Sequence, residues 1–392
     1  MEPLVSILIC LGTLFIVSEV LQLIHIPRVV SQISVGIVFG LPALSAVLMT
    51  PQTSAILEFL AYVGEVLLLF FVGLQLDLRQ SISDVKSSLL ISFFNTLFPL
   101  IGGFLLSKYI FQLSNDISII VGVCMSVSAT AFALDLMEEF GKIRTKLARF
   151  IVSAGSIDDI IESILFAIIL GFISTLTEKF TVFDLIINIT IFLGILFLFR
   201  LLVVPFILQL VERKMSRTAL LTGGLLITLV LATLADQLGI SAFIGALLGG
   251  IIMRHVLKTD QHRPWELHEI TRSVHDLGFG FLVPFFFLWI GLNTDIMAIF
   301  SNLNFSLAIT MVAVIGTVLG TMLGYYLITK DWKRGWLVGW AMNSKGDTEL
   351  IMANLALSAG IINSQIFSSL IFMAIISTIL SPIVFRYYMK WF

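Results

Sequence analysis

Residues 147–174 read LARFIVSAGSIDDIIESILFAIILGFIS, an apolar run with three carboxylic acids in its middle. About 20 mostly apolar residues in a helix cross a hydrocarbon core about 30 Å thick, so this run is long enough to span a bilayer. The whole chain has the same character: of its 392 residues 58% are hydrophobic and 12% charged, and the mean hydropathy is +1.06. Because soluble domains carry about 25% charged residues, this composition indicates an integral membrane protein.

Apolar runs separated by short polar breaks predict thirteen transmembrane helices. The predicted spans are 4–24, 29–49, 57–77, 88–110, 117–137, 147–174, 182–210, 218–236, 240–257, 273–294, 305–328, 335–358 and 365–388.

The distribution of basic residues predicts the orientation of these spans. When the breaks are assigned alternately to the two sides, 19 of the 23 Lys and Arg residues fall on one side. Only Lys108 and Lys179 fall on the other side, while Arg200 and Lys345 lie within spans. By the positive-inside rule the N-terminus is outside and the C-terminus cytoplasmic in a cell membrane.

Three passages recur in order along the chain and predict an inverted repeat. Each matched pair of spans lies seven helices apart, and because seven is odd the two halves have opposite orientations in the membrane. The result is an all-α integral membrane fold with a 6+1+6 inverted-topology repeat, an architecture of secondary transporters. The matches pair 26–38 with 240–252 at a shift of 214, 69–77 with 287–295 at 218, and 125–128 with 342–345 at 217.

This repeat predicts the domain organisation. Residues 1–392 form one transmembrane domain, with a first repeat at 1–180, a linker helix at 181–212 and the inverted second repeat at 213–392. In an alternating-access cycle, a core bundle of 88–174 and 305–388 would move against a scaffold made of the remainder.

The acids in 147–174 are the first candidates for function, because an ionisable residue within a span costs about 2.5–3.5 kcal/mol. Asp158 and Asp159 are neighbours about 100° apart around a helix, and Glu162 lies one turn along from Asp158. Such crowded carboxyl groups cannot all ionise at low cost, so at least one is expected to hold a proton near neutral pH. A carboxylate that binds either a proton or a hard cation suits proton-coupled cation exchange. The alternative, open above all for Glu162, is an interhelical hydrogen-bond network of permanently protonated acids.

Two further spans predict interrupted helices that cross. The run SVSATA at 126–131 is rich in hydroxyl groups, and AMNSKGDTE at 341–349 carries three charges. Neither suits a lipid-facing helix, and broken helices at membrane depth occur where the backbone lines a cavity or is buried in protein. We expect the charges to neutralise the helix-end dipoles at the crossing, unless the second run lies nearer the cytoplasmic mouth. The residues concerned are Ser126, Ser128 and Thr130 in the first span and Lys345, Asp347 and Glu349 in the second.

At these residues the chain resembles the monovalent cation:proton antiporters of the NapA/Kef branch, which have the NhaA-type fold. The resemblance covers essentially the whole chain. Its motifs are PRVV at 27–30, LLLFFVGLQLD at 67–77, AGSIDD at 154–159 and PFFFLWIGL at 284–292.

The resemblance implies a role for each candidate residue. Asp159 matches the essential aspartate that binds the transported Na⁺ and the proton, and Asp158 matches the acidic neighbour typical of sodium exchangers. The family binds no cofactor, and its implied partners are Na⁺ (or K⁺ or Li⁺), H⁺, the lipid bilayer and a second copy in a homodimer. The supporting site comprises Ser126, Ser128, Thr130, Ser156 and Glu162, and the basic-Gly-acidic motif comprises Lys345, Gly346 and Asp347.

The chain departs from the family at one position. Electrogenic members carry a lysine in the span that corresponds to 305–328, where it pairs with the first aspartate. Here GTVLG at 316–320 places Thr317 at that position, and the span holds neither Lys nor Arg. We therefore expect electroneutral exchange or an altered coupling ratio.

Other functions remain open at this point. A K⁺/H⁺ antiporter, a sodium-coupled solute symporter of the same fold and a non-transporting membrane sensor are the alternatives. An enzyme is not expected, since the spans contain no nucleophile–base set or metal-ligand cluster. The net charge of −2 also provides no basic surface for nucleic acid.

Overall fold

The computed structural model describes residues 3–24, 26–76, 82–128, 137, 145–176, 182–212, 217–259 and 264–390. All regular secondary structure in these residues is helical. Short π-helical turns lie at Leu106–Ile110, Phe199–Val203 and Gly278–Leu282. The helices are α1 (Pro3–Gln22), α2 (Arg28–Gly40), α3 (Pro42–Leu48), α4 (Pro51–Gln75), α5 (Ile82–Leu105), α6 (Asn115–Ser126), α7 (Lys146–Leu176), α8 (Val182–Leu198), α9 (Val204–Glu212), α10 (Arg217–Gln237), α11 (Ala242–Thr259), α12 (Pro264–Leu277), α13 (Val283–Leu292), α14 (Ile296–Ser301), α15 (Leu303–Thr329), α16 (Trp332–Ala341), α17 (Asp347–Ser358) and α18 (Ser364–Met389).

Within the described residues, eight helical segments are long and apolar enough to cross a membrane, and a bent pair raises the number to nine. The chain is therefore a multi-span, all-α membrane protein. The eight segments are Pro3–Gln22, Pro51–Gln75, Lys86–Ile110, Ile187–Leu208, Arg217–Gln237, Glu266–Leu292, Leu303–Thr329 and Ser364–Met389.

The bent pair corrects the expectation of one straight helix over 29–49. Helix α2 ends at Gly40, and α3 leaves it at an angle of 87°. Leu41 between them is extended, with φ −60° and ψ 137°. The proline ring of Pro42 disfavours the helical conformation for the residue before it, so the apolar run breaks at this point.

Helix breaks also occur in both runs that the sequence analysis singled out. Helix α6 ends at Ser126, and Val127 is extended with ψ 143°. Helices α16 and α17 are separated by the non-helical residues 342–346. Backbone groups at such ends have no partner within the helix, so other parts of the protein must satisfy them.

The described helices form two compact units. The first comprises Met1–Phe15, Pro42–Leu76 and Leu170–Trp289. Within it α4 and α11 pack backbone to backbone, because a Cβ at Gly73 would collide with the Leu247 carbonyl and one at Gly250 with the Phe70 carbonyl. Glycine at both positions therefore allows this close approach.

The second unit comprises Ile16–Leu41, Asp77–Ile169 and Ile290–Phe392. Within it α5 and α15 lie against each other over most of their lengths. A Cβ at Gly320 would collide with the Phe94 carbonyl, so glycine again brings two helices close together. This contact places the middle of α15 beside the polar residues of α5.

Substituting Gly320 tests this contact. We expect Gly320→Ala to lower the free energy of unfolding by about 1–3 kcal/mol, because the added methyl group forces the two backbones apart. The matched control is Gly194→Ala in α8, where a Cβ would have nothing within 4 Å. Thermal unfolding in detergent compares the two variants. A Gly320→Ala protein as stable as the Gly194→Ala protein would contradict the close packing of α5 and α15.

Candidate functional site

Three helices of the second unit bring polar groups together. Helix α7 carries Asp158, Asp159 and Glu162, α5 carries Asn95, and Ser128 follows the end of α6. Asp158 is 1% exposed and Glu162 4% exposed, whereas Asp159 is half-buried. Burial of this kind is costly for an acid unless hydrogen bonds or an opposite charge compensate it.

Three side chains donate hydrogen bonds to the carboxylate of Asp158. Asn95 Nδ2 lies 2.9 Å from Oδ2, and Thr96 Oγ1 lies 3.3 Å from Oδ1. The hydroxyl of Ser128 donates to the same Oδ2. Since an ionised carboxylate only accepts hydrogen bonds, three donors spread over its two oxygens suit the ionised form.

The orientation of the Asn95 amide is determined by a fourth residue. The hydroxyl of Thr321 on α15 donates to Asn95 Oδ1 at 2.8 Å, which leaves the Nδ2 donors to face Asp158 and Ser128. The distance from Nδ2 to the Ser128 hydroxyl is 3.2 Å. Asn95 thus links α5, α7, α15 and the end of α6 in one buried network, and such networks specify geometry when every member is satisfied.

Sequence reasoning missed the polar side chains that hold Asp158, namely Asn95, Thr96 and Thr321. It selected uncharged side chains only in the hydroxyl-rich run 126–131, beside the acids at Ser156 and at Thr317, and these three residues lie elsewhere. The available signal was the adjacent Asn-Thr pair in the otherwise apolar stretch 93–106, because buried amides in a membrane usually find a hydrogen-bonding partner.

Glu162 satisfies a backbone donor at the end of α6. Its Oε1 accepts the N–H of Ser128, a residue that has left the helix. Ser128 therefore contacts two acids at once, Asp158 through its hydroxyl and Glu162 through its backbone.

Asp159 has different surroundings from its neighbour. Its backbone carbonyl accepts a hydrogen bond from the Ser163 hydroxyl at 2.7 Å, as an ordinary helical carbonyl does. No side chain among the described residues donates a hydrogen bond to its carboxylate, and the residue is only half-buried. Of the two adjacent aspartates, Asp159 therefore has carboxylate oxygens available to a ligand.

The ammonium group of Lys345 lies at the broken end of α6. Nζ donates to the carbonyl of Met125 at 2.8 Å and to that of Val127, and it lies 3.4 Å from Thr317 Oγ1. An ammonium has three N–H donors, so these three acceptors satisfy it. A cation at this position also compensates the partial negative charge of a helix C-terminus.

The remaining candidates divide into those with a described place and those without one. The Ser126 hydroxyl donates to the Val123 carbonyl of its own helix at 2.7 Å, so it does not reach the acids. Glu349 is 2% exposed in the first turn of α17, and its charge acts on Lys345 together with those of Glu162 and Asp158. Thr130 and the side chains of Ser156 and Asp347 lie outside the described residues.

Comparisons with known proteins agree on one family. The family model described as "Sodium/hydrogen exchanger, transmembrane" matches residues 5–391. A Na(+)/H(+) antiporter of Enterococcus hirae is 26% identical over 375 residues, which are 95% of this chain and 94% of that protein. The Na(+)/H(+)-K(+) antiporter GerN of Bacillus cereus is 27% identical over 361 residues, covering 92% of this chain and 89% of that protein.

A solved structure has the same fold. The sodium proton antiporter MjNhaP1 of Methanocaldococcus jannaschii superposes with a TM-score of 0.64 at 16% identity. The likeness covers 98% of this chain and 96% of that one, so it extends over the whole fold.

The hydrogen bond from Thr321 to Asn95 can be tested with a matched pair of variants. Thr321→Val keeps the shape of the side chain but removes the donor, leaving the buried Asn95 oxygen unsatisfied. We expect it to lower stability by about 1–3 kcal/mol. The control is Thr310→Val on the same helix, because that hydroxyl donates only to the Ser306 carbonyl one turn earlier. Thermal unfolding in detergent should show a larger loss of stability for Thr321→Val than for Thr310→Val. Equal losses would contradict a stabilising hydrogen bond from Thr321 to Asn95.

Proposed function

Because the chain belongs to the transmembrane sodium/hydrogen exchanger family, whose members are transporters and not enzymes, we propose that it exchanges a monovalent cation for protons across the membrane by alternating access. Na⁺ is the proposed cation. The observation that carries the proposal is the excess of buried acids over buried bases around Asp159.

This excess of negative charge requires a positive partner. Asp158, Asp159, Glu162 and Glu349 contribute four carboxyl groups, whereas Lys345 is the base in the described residues that interacts with three of them, Asp158, Glu162 and Glu349. Uncompensated charges are costly in a low-dielectric interior. The cluster therefore favours binding of protons or of a cation, and alternation between the two at one site is exchange.

The two aspartates have separate roles in this proposal. Asp158 is held by three protein donors, so it positions the site and adds negative charge. Asp159 is half-buried with its carboxylate available, so it binds the cation on one side and a proton on the return. Oxygen ligands suit small hard cations. Competition between the cation and the proton for Asp159 gives obligatory exchange. With neither bound, the ionised carboxylate would be buried without compensation in the closed state, and this cost prevents the change of conformation.

The names of the relatives support Na⁺ as the cation. The Enterococcus hirae protein is named a Na(+)/H(+) antiporter. The family resemblance of the AGSIDD motif also implies that an acid at Asp158 is typical of sodium exchangers. K⁺/H⁺ exchange is the second candidate, since GerN is named a Na(+)/H(+)-K(+) antiporter.

The proposed cycle uses the predicted thirteen-helix inverted repeat. The helix end at Ser126 lies in the passage 125–128, and the helix end at Ala341 directly precedes the passage 342–345 that the 217-residue shift aligns with it. This agreement supports a pair of crossed, interrupted helices. The side chains that donate hydrogen bonds to Asp158 and the residues that contact Lys345 lie within one compact unit. This supports a core bundle that carries the site. The cytoplasmic C-terminus and a homodimer formed through the scaffold helices remain parts of the same proposal.

The surroundings of Asp158 support electroneutral exchange. Neutral donors hold its carboxylate, while the Lys345 ammonium is bonded to two carbonyls and to Thr317. Among the described residues no ammonium is hydrogen-bonded to Asp158, so none has to leave it when a cation binds, and one proton replaces one monovalent cation at Asp159.

The assignment of Asp159 is tested in proteoliposomes that contain a pH-sensitive dye. With a pH gradient imposed, added Na⁺ should dissipate it in the wild-type protein and in the exposed-acid control Asp236→Asn. Asp159→Asn should abolish the response, because a neutral amide binds neither a cation nor a proton at this site. Parallel additions of K⁺ and Li⁺ identify the cation. Exchange retained by a folded Asp159→Asn protein would refute the assignment.

Electroneutrality is tested in the same vesicles under an imposed membrane potential. We expect the initial rate of cation-driven proton movement to change less than about twofold between zero potential and a potential of either sign, because the cycle moves no net charge. A steep dependence of the rate on potential would instead show that unequal charge moves in the two directions of each cycle. It would contradict the inference that Thr317, in the place of a lysine, makes the exchange electroneutral.

A further inference from the structure

A cavity of about 340 Å³ lies in the second unit, where the segment between α1 and α2 meets the last turns of α18. It takes no part in the proposed exchange. Its lining residues are Ile24, Ile26, Pro27, Ile379, Pro382, Ile383, Arg386, Tyr387 and Lys390.

The lining has an apolar part and a cationic end. Six of the nine lining residues are isoleucine or proline, and those on α18 precede the basic residues along the helix. Arg386 and Lys390 are four residues apart, so they lie one above the other on the same helix face. Nearby Arg28 is paired with Glu19 at 2.7 Å, so its charge is already compensated. The cavity therefore fits a ligand with an apolar body and an anionic head.

The position of the cavity favours a ligand that comes from the bilayer. Helix α18 is one of the candidate membrane spans, and Ile383 and Tyr387 are each 60% exposed on its surface. Basic side chains at the end of a span reach the headgroup level, where tyrosine is also enriched. An occupant can thus place its chain beside Ile383 and its head beside Lys390.

We propose that this cavity binds an anionic phospholipid, with the headgroup phosphate at Arg386 and Lys390 and an acyl chain along Ile379 and Ile383. Basic pockets between transmembrane helices are suited to anionic headgroups. A free phosphate ion would leave the apolar wall unfilled, and a zwitterionic lipid would bring its own ammonium group towards the two cations. The bound lipid would tie the segment before α2 to the end of α18.

Binding can be measured on the purified full chain without any transport assay. The delipidated protein in neutral detergent is titrated with phosphatidylglycerol, phosphatidylcholine or inorganic phosphate, and the unfolding temperature is followed. We expect a saturable rise with phosphatidylglycerol and a much smaller response to the other two, because a ligand of the folded state stabilises by mass action.

Variants locate the binding site. Lys390→Gln should raise the phosphatidylglycerol concentration at half-saturation about fivefold, which corresponds to the loss of one basic residue at an anionic surface. Arg386 also interacts elsewhere in the chain, so Lys390 is the primary target. Ile383→Phe keeps both charges but fills the cavity, and it should reduce the response as well. The control is Lys333→Gln, an exposed lysine that does not line the cavity.

Specific results would overturn the proposal. Equal effects of Lys333→Gln and Lys390→Gln would show that the response to phosphatidylglycerol arises from general surface charge and not from this cavity. A rise in unfolding temperature with inorganic phosphate as large as that with phosphatidylglycerol would show that the ligand is a small anion and not a lipid. An Ile383→Phe protein with the wild-type response would show that lipid binds elsewhere. None of these results bears on exchange at Asp159.

Discussion

The site depends on a buried ammonium group at a broken helix end. The carbonyls of Met125 and Val127 lie where α6 stops, and inside a membrane protein they need donors. Lys345 provides these donors, and its own backbone is held by Thr378, whose hydroxyl bonds both its N–H and its carbonyl. One side chain thereby joins the end of α6 to the segment between α16 and α17. Since Ser128 follows directly, this contact also positions the donor that Asp158 and Glu162 share.

The network around Asp158 explains how two adjacent aspartates can differ in chemistry. Asp158 faces α5 and meets Asn95 and Thr96, whereas Asp159 lies about 100° around the helix in a more open position. A step of one residue along the helix thus separates a carboxylate held by three donors from an available one. In the proposed exchanger, Asp158 fixes the geometry of the site and contributes negative charge, while Asp159 binds the cation and the proton in turn.

Helix packing makes this network possible. Gly320 allows α15 to approach α5 closely, and the next residue, Thr321, then reaches the Asn95 amide. A larger residue at 320 would move the hydroxyl out of hydrogen-bonding range. The polarity of the site and the close packing of apolar helices around it are therefore parts of the same arrangement.

The sequence by itself determined the membrane class, the spacing of the acids and the positions of two helix breaks. These properties are local: hydropathy depends on composition, helix periodicity relates Asp158 to Glu162, and a charged run cannot remain a lipid-facing helix. The bend at Leu41 was also readable from Pro42, although the apolar pattern concealed it. Only the tertiary structure decided that Asn95 holds Asp158, that Thr321 orients Asn95 and that Lys345 caps α6. Those partners are far apart along the chain, and the packing of α5, α7 and α15 brings them within hydrogen-bonding distance, which no local pattern encodes.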